Sequence, residues 1–229
     1  MNYLLIISFL CSVVGCGKKT MSNNNNGQPV VKSYSYLVLG DSYTIGQGIA
    51  APGSYPIQTK NFLRAAGKII SQVDIIAATG WTTSDLMNAI NQRNPSPNYN
   101  VVSLLIGVND QYSRRDTTGY RAGFTVLLQK AIYLAGNHPE RVFVISIPDY
   151  SATPFAANSD TVMIRQQIDQ FNAINKKVSS RYFVKYLDIT PSSREARNDL
   201  TLVASDGLHP WKKEYKKWSE RLTGMMKLV

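Results

Sequence analysis

The sequence has almost no cysteine and almost no histidine. Its 229 residues include two cysteines, Cys11 and Cys16, and two histidines, His138 and His209. Because both cysteines precede residue 20, the rest of the chain has no disulfide framework, no thiolate metal site and no cysteine nucleophile. Two histidines are also too few for a zinc site built on several imidazoles. We therefore expect no metal and no organic cofactor.

Charge is absent from the first fifteen residues and unbalanced over the whole chain, which carries a net charge of +10. Such an excess attracts nucleic acid, lipid head groups or acidic polysaccharide, or it is simply a solvated basic surface. The sequence contains no arginine-rich arm and no recognisable nucleic-acid motif. We therefore favour the solvated surface and expect no nucleic-acid partner. The sequence does not specify an oligomeric state.

The N-terminal segment is typical of a secretory leader. Residues 3–14 form a mainly apolar run, too short to span a bilayer comfortably. The following VVGC, at residues 13–16, resembles a bacterial lipobox, in which the cysteine is lipidated. We predict a signal peptide with a lipobox over residues 1–16 and attachment to a membrane of the bacterial cell envelope through Cys16. The alternative is an ordinary secretory signal with an incidental cysteine, since the first three residues carry no lysine or arginine, and a soluble secreted or periplasmic protein.

Two further segments are predicted after the leader. Residues 17–33 are polar and include four consecutive asparagines, so they cannot bury apolar area and are expected to form a disordered tether. Residues 34–229 are long enough for one domain with a proper core. A tether next to a lipidated cysteine is what a surface-anchored enzyme needs.

From about Ser35 the pattern alternates between strands and helices. Strands are predicted at 36–40, 73–78, 101–106, 141–147 and 182–189, with helices at 55–66, 83–92, 120–135, 160–179 and from about Pro210. The last helix carries an apolar stripe, predicted to be core, of Trp211, Tyr215, Trp218, Leu222 and Met225. Continuous apolar strands separated by helices predict a parallel sheet covered on both faces. All strands then end at one edge of the sheet, where ligands bind in such folds.

Polar residues follow the predicted strands at that edge. They are Gly40-Asp41-Ser42 after the first strand, Thr79-Gly80-Trp81 after the second, Asn109-Asp110 after the third, Asp149-Tyr150 after the fourth and Asp206 to His209 after the fifth. Acyl transfer needs a nucleophile, a base, a group that orients the base and donors for the oxyanion. The edge offers a candidate for each of these four roles.

Ser42 is the candidate nucleophile and His209 the candidate base. Asp206 precedes His209 by three residues, so in a tight turn its carboxylate reaches the second ring nitrogen. The candidate oxyanion donors are the Ser42 amide, the Gly80 amide and the side-chain amide of Asn109. A side chain at Gly80 is expected to obstruct the approach of the substrate oxygen.

Two other carboxylates adjoin these positions, and we assign them local roles rather than a glycosidase-type pair. Asp41 is expected to accept backbone donors in its own turn, and Asp110 is expected to support its loop. The side chains expected to shape the pocket wall are Tyr43, Trp81, Tyr112, Asp149 and Tyr150.

These residues resemble the blocks of the SGNH (GDSL) hydrolase family. Gly40-Asp41-Ser42 is similar to its first block, Gly80 to its second, Gly107-x-Asn109-Asp110 to its third and Asp206-x-x-His209 to its fifth. The resemblance covers about Tyr36 to the C-terminus. It implies a three-layer α/β/α fold with a flavodoxin-like five-stranded parallel sheet ordered 2-1-3-4-5. It also implies a Ser-His-Asp esterase that works through an acyl-enzyme.

Several functions remain open at this point. The ester is either an O-acylated carbohydrate or a lipid such as a lysophospholipid or short-chain ester. A different class is a non-catalytic carbohydrate- or lipid-binding surface lipoprotein on the same fold, which would not require all of Ser42, Asn109, Asp206 and His209. A flavodoxin-like nucleotide binder is the third alternative, with only the Gly46–Gly48 loop as a weak phosphate cradle.

Overall fold

The computed structural model describes residues 32–113, 116–226 and 228, together with Met1. The chain divides into two units, Met1–Val31 and Lys32–Val229. The predicted signal peptide, Cys16 and nearly all of the predicted tether lie outside the described residues. The fold given below is that of the second unit.

A five-stranded parallel sheet forms the centre of this unit, in the order β2-β1-β3-β4-β5. The predicted α/β class and strand order are therefore confirmed. The strands are β1 (Ser33–Gly40), β2 (Ile69–Ala77), β3 (Val101–Leu105), β4 (Val142–Ile145) and β5 (Lys185–Leu187). β1 lies between β2 and β3, and four consecutive side chains from Tyr36 to Leu39 are fully buried. Such burial accounts for its uninterrupted apolar sequence.

Eight α-helices connect or flank the strands in the described residues. They are α1 (Ser42–Ile45), α2 (Tyr55–Ala65), α3 (Thr83–Arg93), α4 (Val108–Tyr112), α5 (Thr117–Leu134), α6 (Thr161–Arg181), α7 (Thr190–Ser193) and α8 (Lys212–Met225). α2 packs against α8, while α5 packs against both α3 and α6. Right-handed crossovers place the helix of the β1-to-β2 connection on one face and those of the later connections on the other, which gives three layers.

Several predicted boundaries need correction. β1, β2 and α5 begin at Ser33, Ile69 and Thr117, three or four residues before their predicted starts. β5 begins at Lys185 rather than residue 182, because Tyr182 caps α6 and Phe183 adopts a left-handed φ of 58° that turns the chain. β4 begins at Val142 because residues 139–141 form a 3-10 turn. α8 begins at Lys212 rather than Pro210, since Pro210 pairs with Val203 in an antiparallel bridge.

The predicted core stripe of the last helix is confirmed in its middle and fails at its start. Tyr215, Trp218 and Leu222 are fully buried, and Met225 is partly buried against the same core. Trp211 is 37% exposed, because it stands at the N-cap before the helix begins. The buried part of the stripe packs α8 against Tyr55 of α2, with Tyr55–Tyr215 and Tyr55–Trp218 ring centroids both 6.4 Å apart.

Among the described residues, none of the helices combines the length and apolar character needed to cross a membrane.

Gly40 is the point at which β1 gives way to the turn that carries Ser42. In the sheet register it stands beside Ala77 of β2 and Leu105 of β3. A Cβ atom at residue 40 would lie 2.4 Å from the Leu105 carbonyl oxygen and 2.0 Å from Oγ1 of Thr44. Because one of these atoms is backbone, the clash cannot be relieved by a side-chain rotation alone.

We predict that Gly40→Ala lowers the free energy of unfolding by about 2 kcal/mol or more, as expected for overpacking of a buried site. Urea denaturation measures this. Gly224→Ala is the matched control, because no atom lies within 4 Å of a Cβ at that helical position, and alanine there should be neutral or stabilising. An equal effect of the two substitutions would contradict the close approach at Gly40.

Candidate active site

Ser42 lies at the first turn after β1. Gly40 ends the strand, Asp41 is the N-cap of α1, and Ser42 is its first helical residue. The Oδ1 atom of Asp41 accepts the Tyr43 N–H at 3.0 Å. As the first residue of a helix, Ser42 has no intrahelical acceptor for its N–H. Its side chain is 5% exposed, so a hydroxyl and an uncommitted backbone donor occur together at a sheltered position.

His209 contacts Ser42 and Asp206 through its two ring nitrogens. Nε2 lies 2.9 Å from Ser42 Oγ, and Nδ1 lies 2.7 Å from Asp206 Oδ2. The other carboxylate oxygen, Oδ1, accepts the N–H groups of Leu208 and His209, both at 2.9 Å. The Tyr43 ring packs against the imidazole at a centroid distance of 4.9 Å. The ring of His209 is therefore held from three sides.

The environment of Asp206 settles which ring nitrogen of His209 carries the proton. Partial burial by itself would raise the pKa of the Asp206 carboxyl, but the Leu208 and His209 N–H groups and the His209 ring outweigh it and lower that pKa. An ionised carboxylate only accepts hydrogen bonds, so Nδ1 of His209 is the donor to it. Nε2 then faces the Ser42 hydroxyl at 2.9 Å, where it can accept the hydroxyl proton.

Gly48 supports this arrangement and was not recognised as part of it in the sequence. Its φ is 81°, and a Cβ atom there would lie 2.8 Å from Asp206 Oδ2. The loop after α1 therefore passes directly against the carboxylate that contacts His209. By sequence the Gly46–Gly48 loop is a weak candidate for a phosphate cradle. In the structure, the neighbour of Gly48 is the Asp206 carboxylate.

Backbone hydrogen bonds fix the turns that carry His209 and Ser42. The Ala204 N–H donates to the His209 carbonyl at 2.7 Å, beside the Val203–Pro210 bridge. From the other side, the Tyr215 hydroxyl of α8 donates to the Tyr43 carbonyl at 2.8 Å. The first bond closes the turn that carries His209, and the second ties the Ser42 turn to α8, which follows His209 in the chain.

Two of the candidate oxyanion donors, at Gly80 and Asn109, follow the neighbouring strands β2 and β3. Asn109, in α4, donates through Nδ2 to the Trp81 carbonyl at 3.0 Å, which leaves its second N–H hydrogen for another acceptor. The bond ties Asn109 to the residue after Gly80. The Thr79 hydroxyl also donates to the Gln47 side chain, so the Gly80 loop is tied to the loop after α1 as well.

The structure adds a backbone reason for glycine at position 80. Gly80 is exposed, and a Cβ atom there would have no neighbour within 4 Å. Its φ of 80° lies in the left-handed region that glycine adopts most readily. Backbone conformation alone therefore favours glycine here, and the predicted need for room for the substrate oxygen stays a prediction.

A small cleft opens onto the Ser42 hydroxyl. It has a volume of about 100 Å³ and is lined by Ser42, Tyr43, Val108, Asn109, Tyr112, Tyr150, Phe155, Leu208 and His209. The predicted wall residues Tyr43, Tyr112 and Tyr150 are among them. Trp81 and Asp149 are not. Trp81 packs partly buried against the core, and the Asp149 carboxylate is engaged by Arg194.

Phe155 is a wall residue that sequence reasoning missed. It lies in a short 3-10 turn, Pro154–Ala156, which has no periodic pattern to suggest a role. Tyr112, Tyr150 and Phe155 form a cluster with centroid separations of 6.1 to 6.3 Å. Tyr112 is 60% and Phe155 47% exposed. The cleft therefore has an aromatic wall at its mouth.

Comparison with known proteins identifies the family. Residues 38–217 match the GDSL-like lipase/acylhydrolase family, a span that includes Ser42, Asn109, Asp206 and His209. The chain belongs to this family. As a GDSL acylhydrolase it is an enzyme that hydrolyses ester bonds. No curated protein matches its sequence.

Solved structures share the fold of this GDSL acylhydrolase at low sequence identity. The acetyl xylan esterase AlAXEase is 15% identical, with a TM-score of 0.65 over 84% of this chain and 100% of that one. An acetyl xylan esterase from Geobacillus stearothermophilus is 19% identical, with a TM-score of 0.62 over 86% and 97%. A lipase/acylhydrolase from Enterococcus faecalis is 20% identical, with a TM-score of 0.61 over 85% and 97%.

In this GDSL acylhydrolase, the carboxylates of Asp110 and Asp149 have structural partners. Asp110 is fully buried and accepts the Thr83 N–H at 2.9 Å and the Thr83 hydroxyl at 2.8 Å, which joins the loop after β3 to the start of α3. Asp149 accepts Nε of Arg194 at 2.7 Å and the Ser151 N–H at 3.0 Å. Within the described part of the chain, no group of three or more His, Cys, Asp or Glu residues has the spacing of a metal site.

Asp41 is the one carboxyl of the GDSL block with an unusual electrostatic state. It is fully buried, and its Oδ2 atom has no hydrogen-bond partner among the described residues. Burial raises its pKa to about 8; the Tyr43 N–H opposes this and the nearby Asp110 charge adds to it. Near neutral pH the Asp41 side chain is therefore mostly protonated in the folded protein.

The raised pKa of Asp41 makes the free energy of unfolding depend on pH. Between about pH 4, where an unfolded aspartate ionises, and about pH 8, the native state holds a proton that the unfolded state has released. The Asp41 contribution to the free energy of unfolding therefore decreases as the pH rises through this window and is constant above it.

We predict that Asp41→Asn, which keeps an acceptor for the Tyr43 N–H, removes this decrease. The stability of the variant relative to wild type should increase with pH, by at most about 1.4 kcal/mol per pH unit. Urea denaturation from about pH 5 to about pH 9 measures the difference. A difference that stays constant over this range would show that Asp41 is already ionised in the folded protein.

Proposed function

We propose that this GDSL acylhydrolase is a serine esterase in which Ser42 is the nucleophile, His209 the general base and Asp206 the carboxylate that orients the base. The observation that carries the proposal is the unbroken contact from Asp206 Oδ2 through His209 to Ser42 Oγ, with separations of 2.7 and 2.9 Å. Nucleophile and base stand within hydrogen-bond reach, and a third group orients the base, as acyl transfer requires.

The reaction proceeds through an acyl-enzyme. Ser42 Oγ attacks the ester carbonyl carbon while its proton passes to Nε2 of His209. The tetrahedral intermediate collapses when Nε2 gives this proton to the leaving alcohol, and the acyl group stays on Oγ. Water then attacks the acyl carbon, with Nε2 taking its proton and returning it to Oγ as the acid departs. Asp206 stabilises the imidazolium that forms in each half-reaction.

The oxyanion of each tetrahedral intermediate accepts hydrogen bonds from the Ser42 N–H, the Gly80 N–H and the Asn109 side chain. Two features support this assignment. Ser42 is the first helical residue and has an uncommitted N–H, and Asn109 lies at the mouth of the cleft with one N–H hydrogen engaged by Trp81. Losing one such donor typically costs about 3 kcal/mol of transition-state stabilisation.

The substrate is an ester with a small acyl group, and an O-acylated carbohydrate fits the cleft better than a lipid. An apolar cavity of about 150 Å³ holds a benzene molecule, so the cleft of about 100 Å³ suits an acyl group of a few atoms. Its open aromatic mouth suits the face of a sugar ring. Two structural neighbours described as acetyl xylan esterases point to the same class.

Cys16 is proposed as a lipidation site that anchors the enzyme to a membrane of the bacterial cell envelope. The support is in the sequence: an uncharged apolar leader, VVGC at residues 13–16 and a polar stretch directly after it. This arrangement would leave the domain from residue 34 onward at the end of a polar tether.

We predict that Ser42→Ala lowers kcat for 4-nitrophenyl acetate by at least about 1,000-fold, because no other residue replaces the nucleophile. Absorbance of the released nitrophenolate measures the rate. Ser113→Ala, an exposed serine just beyond α4, is the matched control and should retain the wild-type rate. Equal rates for wild type and Ser42→Ala would refute the triad assignment.

The same assay with longer acyl chains tests the size of the acyl site. Acetate and butyrate esters should be hydrolysed with a higher kcat/KM than the octanoate ester, which exceeds the cleft. A rate that increases steadily up to octanoate would favour a lipid ester instead of an acylated sugar.

We predict that Cys16→Ser moves the enzyme from the membrane fraction to the soluble fraction of expressing bacterial cells, because the attachment depends on one thiol. Immunoblots of the two fractions and metabolic labelling with a radioactive fatty acid measure this. Cys11→Ser is the matched control, since Cys11 lies within the predicted leader, and it should leave the attachment unchanged. Membrane attachment retained by Cys16→Ser would indicate another anchor, and wild-type enzyme in the soluble fraction would support an ordinary secretory signal.

A further inference from the structure

The neighbouring helices α2 and α8 concentrate positive charge on one side of the domain. α8 contains five cationic residues and two acidic ones, Glu214 and Glu220, and Glu214 is buried. α2, which packs against α8, contains two cationic residues and no acidic one. The cations of the two helices are Lys60, Arg64, Lys212, Lys213, Lys216, Lys217 and Arg221.

Three of these lysines border a concavity of about 510 Å³. It is lined by Pro52, Gly53, Gln58, Asn61, Lys212, Lys213 and Lys216. Gln58 joins two sides of the concavity, because its Nε2 donates to the carbonyls of Gly53 and Lys212 at 2.6 and 2.9 Å. A phosphate group that entered the concavity would meet three ammonium groups.

Ion pairs within the protein engage two of the three lysines only weakly. Lys213 contacts Asp199 at 2.9 Å, and Lys216 contacts Glu220. All four side chains are at least 40% exposed, and exposed pairs of this kind contribute little to stability. Lys212 forms no ion pair with a described residue, and its Nζ lies 5.7 Å from the centroid of the Trp211 ring. An external phosphate can therefore compete for these ammonium groups.

Exposed apolar side chains lie beside the lysines. Trp211 is 37% exposed and Leu200 is 61% exposed. Both belong to one local unit, because the Trp211 N–H donates to the Leu202 carbonyl at 2.7 Å and Leu200 follows Asp199, the partner of Lys213. Tryptophan and leucine next to lysine are typical of surfaces that lie on a bilayer, where the rings and aliphatic groups enter the head-group region and the cations contact phosphates.

This combination favours a membrane over a soluble polyanion. An acidic polysaccharide would use the lysines but would leave Leu200 exposed to water. The sequence alone favours a solvated basic surface, whereas the structure brings the cations and the two apolar side chains together.

We propose that Lys212, Lys213 and Lys216, with Leu200 and Trp211, form a lysine surface that lies on a bilayer containing anionic phospholipids. The surface is separate from the catalytic cleft, since the concavity and the Ser42 cleft have no lining residue in common. The proposal goes beyond ester hydrolysis and does not require lipidation of Cys16.

The lysine surface and a lipid anchor would act together. Binding through a few lysines is weak and reversible, so it does not by itself retain the Cys16→Ser enzyme in the membrane fraction. One acyl chain combined with a basic surface holds a protein at a membrane more firmly than either alone. The lysine surface would also determine which side of the domain faces the bilayer.

Vesicle sedimentation with the full-length Cys16→Ser protein tests the proposal, since this variant lacks the proposed lipid. Vesicles of equal parts phosphatidylcholine and phosphatidylglycerol should bind it more tightly than vesicles of phosphatidylcholine alone. Adding Lys212→Gln, Lys213→Gln and Lys216→Gln should lower the partition coefficient on the anionic vesicles about tenfold or more, because each lysine near a charged bilayer contributes to binding. The midpoint of urea denaturation should stay close to that of the parent, which shows that the variant is folded.

Lys130→Gln/Lys176→Gln/Lys177→Gln is the matched control. It removes the same number of positive charges from α5 and α6, which lie on the other face of the sheet. Its partition coefficient should remain within about twofold of the parent, since charges on the far side of a domain are screened from the bilayer. Equal binding to both kinds of vesicle, or an equal fall in the two triple variants, would overturn the proposal.

The fluorescence of Trp211 tests whether the apolar part of the surface enters the bilayer. Trp218 is fully buried and Trp81 partly buried, so a blue shift on adding anionic vesicles should come from Trp211 and be absent in Trp211→Phe. Vesicle binding without such a shift would overturn the placement of Trp211 in the head-group region. Binding of polygalacturonate through the same lysines, without binding to the vesicles, would identify an acidic polysaccharide as the partner and overturn the proposal.

Discussion

The parallel register of β1 with its two neighbours determines where the Ser42 hydroxyl stands. Gly40 is the last residue of β1, paired with Ala77 on one side and Leu105 on the other. The strands β1, β2 and β3 thus end at one level, and the turns that follow carry Ser42, Gly80 and Asn109. The close approach of the Leu105 carbonyl to Gly40 allows the chain to turn there without a gap in the core.

A second constraint brings the far end of the chain to this edge. The turn from Asp206 to His209 is closed by the carboxylate itself, which accepts two backbone N–H groups and contacts the ring. α8 then packs on α2, and its Tyr215 bonds to the backbone beside Ser42. The site thus relies on the same core contacts as the fold, so damage to the α2–α8 interface would also disturb the geometry at His209.

The cleft at Ser42 and the larger concavity beside it differ in size and in chemistry. The size of the cleft is the basis for proposing a small acyl group. The small cleft has mainly apolar walls, whereas the larger concavity beyond Tyr112 and Tyr150 is lined by carboxamides, hydroxyls and carboxylates. The buried, mostly protonated Asp41 precedes Ser42 in the chain, and its predicted effect is on the free energy of unfolding.

Much of the fold and the identity of the site residues could be predicted from the sequence. Continuous apolar strands specify a parallel sheet, and such a sheet brings the residues after each strand to one edge, so Ser42, Asp206 and His209 could be named without coordinates. The short ends of elements could not be predicted as well: β5 and α8 start late because Phe183 and Pro210 make local turns and bridges. These turns and bridges depend on neighbouring residues that the hydrophobic pattern of the sequence does not reveal.

The sequence by itself determined the fold class, the strand order implied by the family resemblance and the residue types of the candidate triad, because these depend on periodicity and motif. Only the tertiary structure decided the close approach of Gly48 to Asp206, the inclusion of Phe155 in the cleft, the exclusion of Trp81 and Asp149 from it, and the larger concavity beside it. Gln111 and Gln167, which line that concavity and share a hydrogen bond, are 56 residues apart in the chain, and polar side chains on helices are ordinarily solvent-facing. Their convergence depends on how α4 and α6 pack, which no local pattern encodes.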